Sequence, residues 1–76
     1  MQQIVRTSML TTRQDEIVSL IAAGLTNQEI ANRLGITPTT VSEHIANILW
    51  RLGLTCRREI AAWAIEQAWS SRGQAR

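Results

Sequence analysis

The sequence predicts an all-α fold, a compact domain of four helices with no strand. Three observations carry this. Apolar residues recur at three- and four-residue spacing and not in alternation. Two capping boxes, Thr11 with Gln14 and Thr26 with Glu29, and a Thr37-Pro38 start mark three helix N-termini. Glycines at 24, 35 and 53 stand where those helices must stop. A chain of 76 residues holds one domain at most, and its 45% hydrophobic content is too high for a disordered segment.

Residues 1–9 show no period and read as a flexible leader. The first helix opens at Thr11, where the Thr hydroxyl accepts from the backbone N–H three residues on. Asp15 and Glu16 suit the positive end of its dipole. Ile17, Leu20 and Ile21 form its apolar stripe, with Val18 beside them, and Gly24 ends it. The second helix opens at Thr26 and carries Ile30, Ala31 and Leu34 over about two turns before Gly35 closes it. Ile36 leads into Thr37, a good N-cap, and Pro38, a good first helical residue. The third helix runs from there to about Leu52, with Gly53 as its stop. The fourth begins after Thr55 or Cys56, with Glu59 three residues beyond Cys56. Its apolar residues are Ile60, Ala61, Ala64, Ile65 and Ala68, and it ends near Trp69. The tail, residues 70–76, is polar and expected to fray. The domain proper is thus residues 10–69.

Several function classes are excluded or weakened. No apolar run approaches the roughly 20 residues of a membrane span, and the N-terminus lacks the pattern of a signal peptide. The lone Cys56 cannot form an internal disulfide, which fits a reducing cytoplasm. One His, one Cys and no nearby acidic pair assemble no metal site, no cofactor site and no nucleophile–base pair, so an enzyme is not expected.

Residues 25–54 form the most informative stretch. A short capped helix, a tight glycine turn and a Pro-started helix with a polar outer face make a helix-turn-helix, whose second helix is built to lie in the DNA major groove. At about 100° per residue, Val41, Ile45, Ile48 and Leu52 share one narrow, buried arc of the third helix. Thr39, Glu43, Ala46 and Trp50 fall on the opposite side, flanked by Thr40, Ser42 and Asn47. Hydroxyls at the start of that face can donate to phosphate oxygens, while an acid, a small residue and an amide suit base edges. A polar solvent face would look the same in isolation, but the helix and turn in front of it favour the DNA reading. Charge agrees in direction. The net charge is +2, all eight basic residues are Arg, and residues 33–58 carry +3 against −1 for residues 1–32. Ordinary surface scatter could produce this, and charge alone does not decide.

Here the chain strongly resembles the LuxR-type DNA-binding domain, the GerE, FixJ and NarL-like family. The matching residues are Leu10-Thr11-x-Arg13-x-x-Glu16, then Ala23-Gly24-Leu25-Thr26-Asn27-x-Glu29-Ile30-Ala31, then Leu34-x-Ile36-Thr37-x-x-Thr40-Val41-x-x-His44. Ile48, Leu52-Gly53-Leu54 and Arg57 complete the series. The likeness spans about residues 10 to 69. Sigma-factor region 4 shares the first two-thirds of the pattern but lacks a fourth helix opened as at Cys56-Arg57. The resemblance implies a four-helix domain whose third helix enters the major groove and whose fourth pairs two copies on an inverted repeat. It puts Ser42, Glu43, Ala46 and Asn47 at the bases or their flanking phosphates and Thr40 at the backbone. It also puts His44 at the edge of the buried face, in a structural or phosphate-contacting role.

The chain departs from the family's usual residues in several places. Ser42 and Trp50 stand where Lys or Arg is common, and each missing phosphate contact lowers the salt slope by about one unit. Glu43 repels phosphate, yet a carboxylate can accept from cytosine N4. Cys56 stands where Ser commonly caps the fourth helix. A cap is favoured over a redox role, although a helix start beside Arg57 and Arg58 is a setting in which reactive thiols occur.

The expected DNA-binding set is therefore Thr37, Thr39, Thr40, Ser42, Glu43, His44, Ala46, Asn47, Arg51, Arg57 and Arg58, with Thr40, Arg51, Arg57 and Arg58 on phosphates. On the fourth helix Ala62, Ile65 and Trp69 point away from the core, a second apolar face best explained as a twofold dimer contact. Trp63 is expected to pack. Trp50 either covers the rim of the groove face or packs under the leader. The expected partners are double-stranded DNA and a second copy, with no membrane and no small-molecule ligand. The alternatives are a protein-interaction module that lost DNA binding and a sigma-like promoter-recognition piece.

Overall fold

The helix starts are set by the side chains that the sequence singles out. In the computed structural model, which describes the backbone of residues 10–74 and the side chains of residues 10–68, four α-helices follow one another: α1 Thr12–Ala22, α2 Asn27–Leu34, α3 Pro38–Leu52 and α4 Arg57–Gln74. The fold is all-α, as predicted, and the described residues include no strand. Both capping boxes form. The Thr11 N–H donates to Gln14 Oε1 and the Gln14 N–H to Thr11 Oγ1, each at 3.0 Å. The Thr26 N–H donates to Glu29 Oε1 at 2.8 Å and the Glu29 N–H to Thr26 Oγ1 at 3.2 Å. Each box satisfies two backbone donors that a bare helix start would leave unpaired.

The exits follow one scheme. At the turn between α2 and α3, Gly35 takes a left-handed conformation (φ 72°, ψ 33°). The N–H groups of Gly35 and Ile36 both donate back to the Ala31 carbonyl. A Cβ at Gly35 would meet nothing within 4 Å, so the backbone conformation, not crowding, selects glycine. The same closure recurs where the Leu25 N–H donates to the Leu20 carbonyl and the Leu54 N–H to the Leu49 carbonyl. In each case the residue after the glycine, Leu25, Ile36 or Leu54, turns back against the core.

The core takes one fully buried isoleucine from each helix, Ile17, Ile30, Ile48 and Ile60, with Val41 completing the centre. Leu10, Val18, Ile21, Ala31 and Ile45 surround them. The predicted stripes of α1, α2 and α3 are those observed, with Leu20, Leu34 and Leu52 only half-buried. Trp63 packs against the core as expected.

The fourth helix differs from expectation in two ways. It continues to Gln74 instead of ending near Trp69. Ala68, expected on the core stripe, is exposed. The cause is length. Its main packing partner, α1, has 11 residues against 18 in α4. At 1.5 Å per residue, α4 is about 10 Å longer than the helix it lies on, so its last turns run past the core.

Candidate nucleic-acid interface

The α2–turn–α3 unit is a helix-turn-helix. The N-terminus of α3 is built by Thr37, whose Oγ1 accepts from the Thr40 N–H at 3.2 Å, and by Pro38, which needs no hydrogen-bond acceptor there. The Thr37 and Thr40 hydroxyls also share a hydrogen bond of 3.0 Å. Each hydroxyl has one proton, so the pair can still offer a donor outward.

With Val41, Ile45 and Ile48 buried, helical periodicity fixes what α3 shows to solvent. Thr39, Ser42, Glu43, Ala46, Asn47 and Trp50 are all exposed, and together they form one outward face. Trp50 is 84% exposed on this face, and the leader under which it was alternatively expected to pack lies outside the described residues. Thr40 and His44 are half-buried at the boundary between the inner and outer faces. Thr37, Arg51 and Arg58 are exposed.

Arg57, expected on phosphate, has partners within the domain. It is half-buried at the start of α4, and its guanidinium forks inward. Nη1 donates to Asn27 Oδ1 at 2.6 Å, and Nη2 donates to the Leu25 carbonyl. Asn27 in turn donates from Nδ2 to Ser42 Oγ at 3.3 Å. A hydrogen-bonded line therefore crosses from α4 through the first residue of α2 to the outward face of α3. Sequence reasoning did not single out Asn27. The available signal was an amide at the first position of a helix that Thr26 already caps, where α2 itself has no use for it.

Of the two starts expected for α4, after Thr55 or after Cys56, the helix takes the second, and Glu59 reaches back to both residues. The Thr55 N–H and hydroxyl donate to Glu59 Oε1 at 2.7 and 3.0 Å, and the Glu59 N–H reaches only the backbone carbonyl of Cys56. The Thr55 N–H, then its hydroxyl, with a smaller share from the Cys56 N–H, hold the Glu59 carboxyl below the usual carboxylate range. Cys56 itself is exposed.

On α4, Ala62 and Ile65 are exposed, Ile65 by 62%. The side chain of Trp69 lies outside the described residues. Among the described residues, no group of His, Cys, Asp and Glu is arranged to hold a metal ion, and no helix is long and apolar enough to cross a membrane.

Comparison with known proteins points to the same segment. Residues 8–64 match the model of the GerE family, described as bacterial regulatory proteins, luxR family. Over 66 residues, the chain is 39% identical to the HTH-type transcriptional regulator MalT of Yersinia pestis (strain Pestoides F) and to that of Yersinia pseudotuberculosis serotype O:1b (strain IP 31758). It is 38% identical, also over 66 residues, to the MalT regulator of Serratia proteamaculans (strain 568). These alignments cover 87% of this chain and 7% of each relative, so the chain spans a small part of the length of the regulators it matches.

Proposed function

The chain belongs to the luxR family of bacterial regulatory proteins, and from that premise we propose that it binds double-stranded DNA sequence-specifically, with α3 lying in the major groove. One observation carries the proposal. The α2–α3 corner is rigidly closed, and it presents an unbroken outward row of short polar side chains, Thr39, Ser42, Glu43 and Asn47, with the small Ala46 between them. Such a row suits close approach of the helix to base edges. Ser42, Glu43, Ala46 and Asn47 set sequence preference in this reading, and Thr37, Thr39, Thr40, His44, Arg51 and Arg58 line the backbone. Arg57 acts from behind, through Asn27. Residues 10–69 make up the binding unit. Two copies pair through Ala62, Ile65 and Trp69 and address an inverted repeat with half-site centres about one helical turn apart. The chemistry is recognition, not catalysis, and it takes place where the chromosome is, in the cytoplasm.

A second reading has its own support. Trp50 at 84% exposure and the acidic Glu43 share the outward face, which would also suit a protein partner. Selection from a pool of randomised duplexes at two salt concentrations separates the two. The DNA reading expects an enriched, roughly palindromic motif whose binding weakens steeply with salt. Retention of no duplex even at low salt would favour the interaction module.

A further inference from the structure

We infer that Arg57 and Asn27 set the proton polarity of Ser42, so that its hydroxyl meets DNA as a hydrogen-bond donor. The inference rests on the DNA-binding reading and deepens it by assigning Asn27 and Arg57 as positioning residues. A guanidinium has donors and no acceptor. The Asn27 group facing Arg57 Nη1 at 2.6 Å must therefore be the amide oxygen. That orientation turns the Asn27 NH2 toward Ser42 Oγ, 3.3 Å away. Ser42 Oγ then acts as acceptor on its inner side, and its single proton is left to point outward from an exposed position. If the amide were reversed, the Ser42 proton would be drawn inward to the Asn27 oxygen and lost to DNA. The fixed donor suits an acceptor oxygen or nitrogen: a phosphate oxygen, guanine O6 or N7, or thymine O4. The Arg57 bond to the Leu25 carbonyl anchors the line to the α1–α2 turn, and the start of α4 thereby governs a group on the outward face of α3.

Asn27→Asp is the informative variant. Aspartate still accepts from Arg57, but it has no donor for Ser42, so the Ser42 hydroxyl must donate inward to it. The measurement is the affinity penalty of Ser42→Ala on the duplex that the parent chain enriches most from a randomised pool, taken in three backgrounds. In the parent, the penalty is expected to be about three- to ten-fold, the worth of one neutral hydrogen bond. In the Asn27→Asp background it falls to near nothing, because the proton is already withdrawn. In the Arg57→Lys background, which keeps a donor facing Asn27, it persists. Measuring the Ser42→Ala step within each background cancels the uniform effect of the added carboxylate. If Asn27→Asp does not fold, Arg57→Met, which removes the donor that orients the amide, takes its place with the same expectation.

An equal Ser42→Ala penalty in the parent and Asn27→Asp backgrounds would overturn the relay, as would the absence of a penalty in the parent. Failure of the parent to enrich any duplex would overturn the DNA reading itself. A penalty confined to one base position identifies a base acceptor, and a penalty uniform across sequences identifies a phosphate oxygen. Either agrees with the donor assignment.

Discussion

The two faces of α3 make a sharp contrast. On the inner face Val41 and Ile48 are fully buried and Ile45 nearly so. On the outer face, no more than two residues away along the chain, Glu43, Ala46 and Trp50 are exposed. The inner face obeys packing alone: branched apolar residues at helical spacing, filling a centre to which each helix contributes an isoleucine. The outer face breaks rules that a merely solvated helix would keep. It carries a tryptophan at 84% exposure where water favours a charge, and a serine held from behind by an amide. The inner face should therefore govern stability with no preference for any DNA sequence. The outer face should govern DNA preference with almost no effect on stability.

Substitutions can break that division. The largest effect is expected from Ile48→Ala on the inner face. It opens a cavity among fully buried neighbours and should cost roughly 2–5 kcal/mol in denaturant unfolding, a large share of what a domain of this size has. Any DNA preference that survives in the folded fraction should be unchanged. On the outer face, Trp50→Lys should leave stability within about 0.5 kcal/mol of the parent. It should steepen the slope of log affinity against log salt by about one unit, the signature of one added phosphate contact. An unchanged slope would remove Trp50 from the proposed interface rim.

Away from both faces, the smallest effect lies at the start of α4. The Glu59 carboxyl is held below its ordinary value of 4.5 by the Thr55 N–H and hydroxyl. A carboxyl depressed in the folded state adds stability above its unfolded value and loses it as pH falls through the folded value. Glu59→Gln should thus lower the thermal midpoint slightly at neutral pH. The difference should close at pH values well below 4.5.

Legibility in the sequence followed range. The caps at Thr11, Thr26 and Thr37 join residues three apart, so residue type and spacing contain the whole interaction. The stripes of α1 to α3 were legible because each helix packs along nearly its full length. Ala68 and the end of α4 were not, because they depend on where α1 stops. The start of α4 was left open between Thr55 and Cys56, since spacings of three and four are both reachable at a helix start, and Glu59 in fact accepts from both residues. The Arg57–Asn27–Ser42 line spans separations of 30 and 15 residues and has no local signature. Ser42 and Arg57 were each expected at DNA and Asn27 only matched the family pattern, with nothing in the sequence to join the three.

The central claim is that the outer face of α3 reads bases. Its most direct test is the full sequence-preference profile of Glu43→Ala beside that of the parent. Loss of a carboxylate that accepts from cytosine N4 should change the preferred base at one position more than it changes overall affinity. If the variant instead bound every duplex more tightly by one common factor, Glu43 would be only a charge near phosphates, and the reading of that face would be wrong.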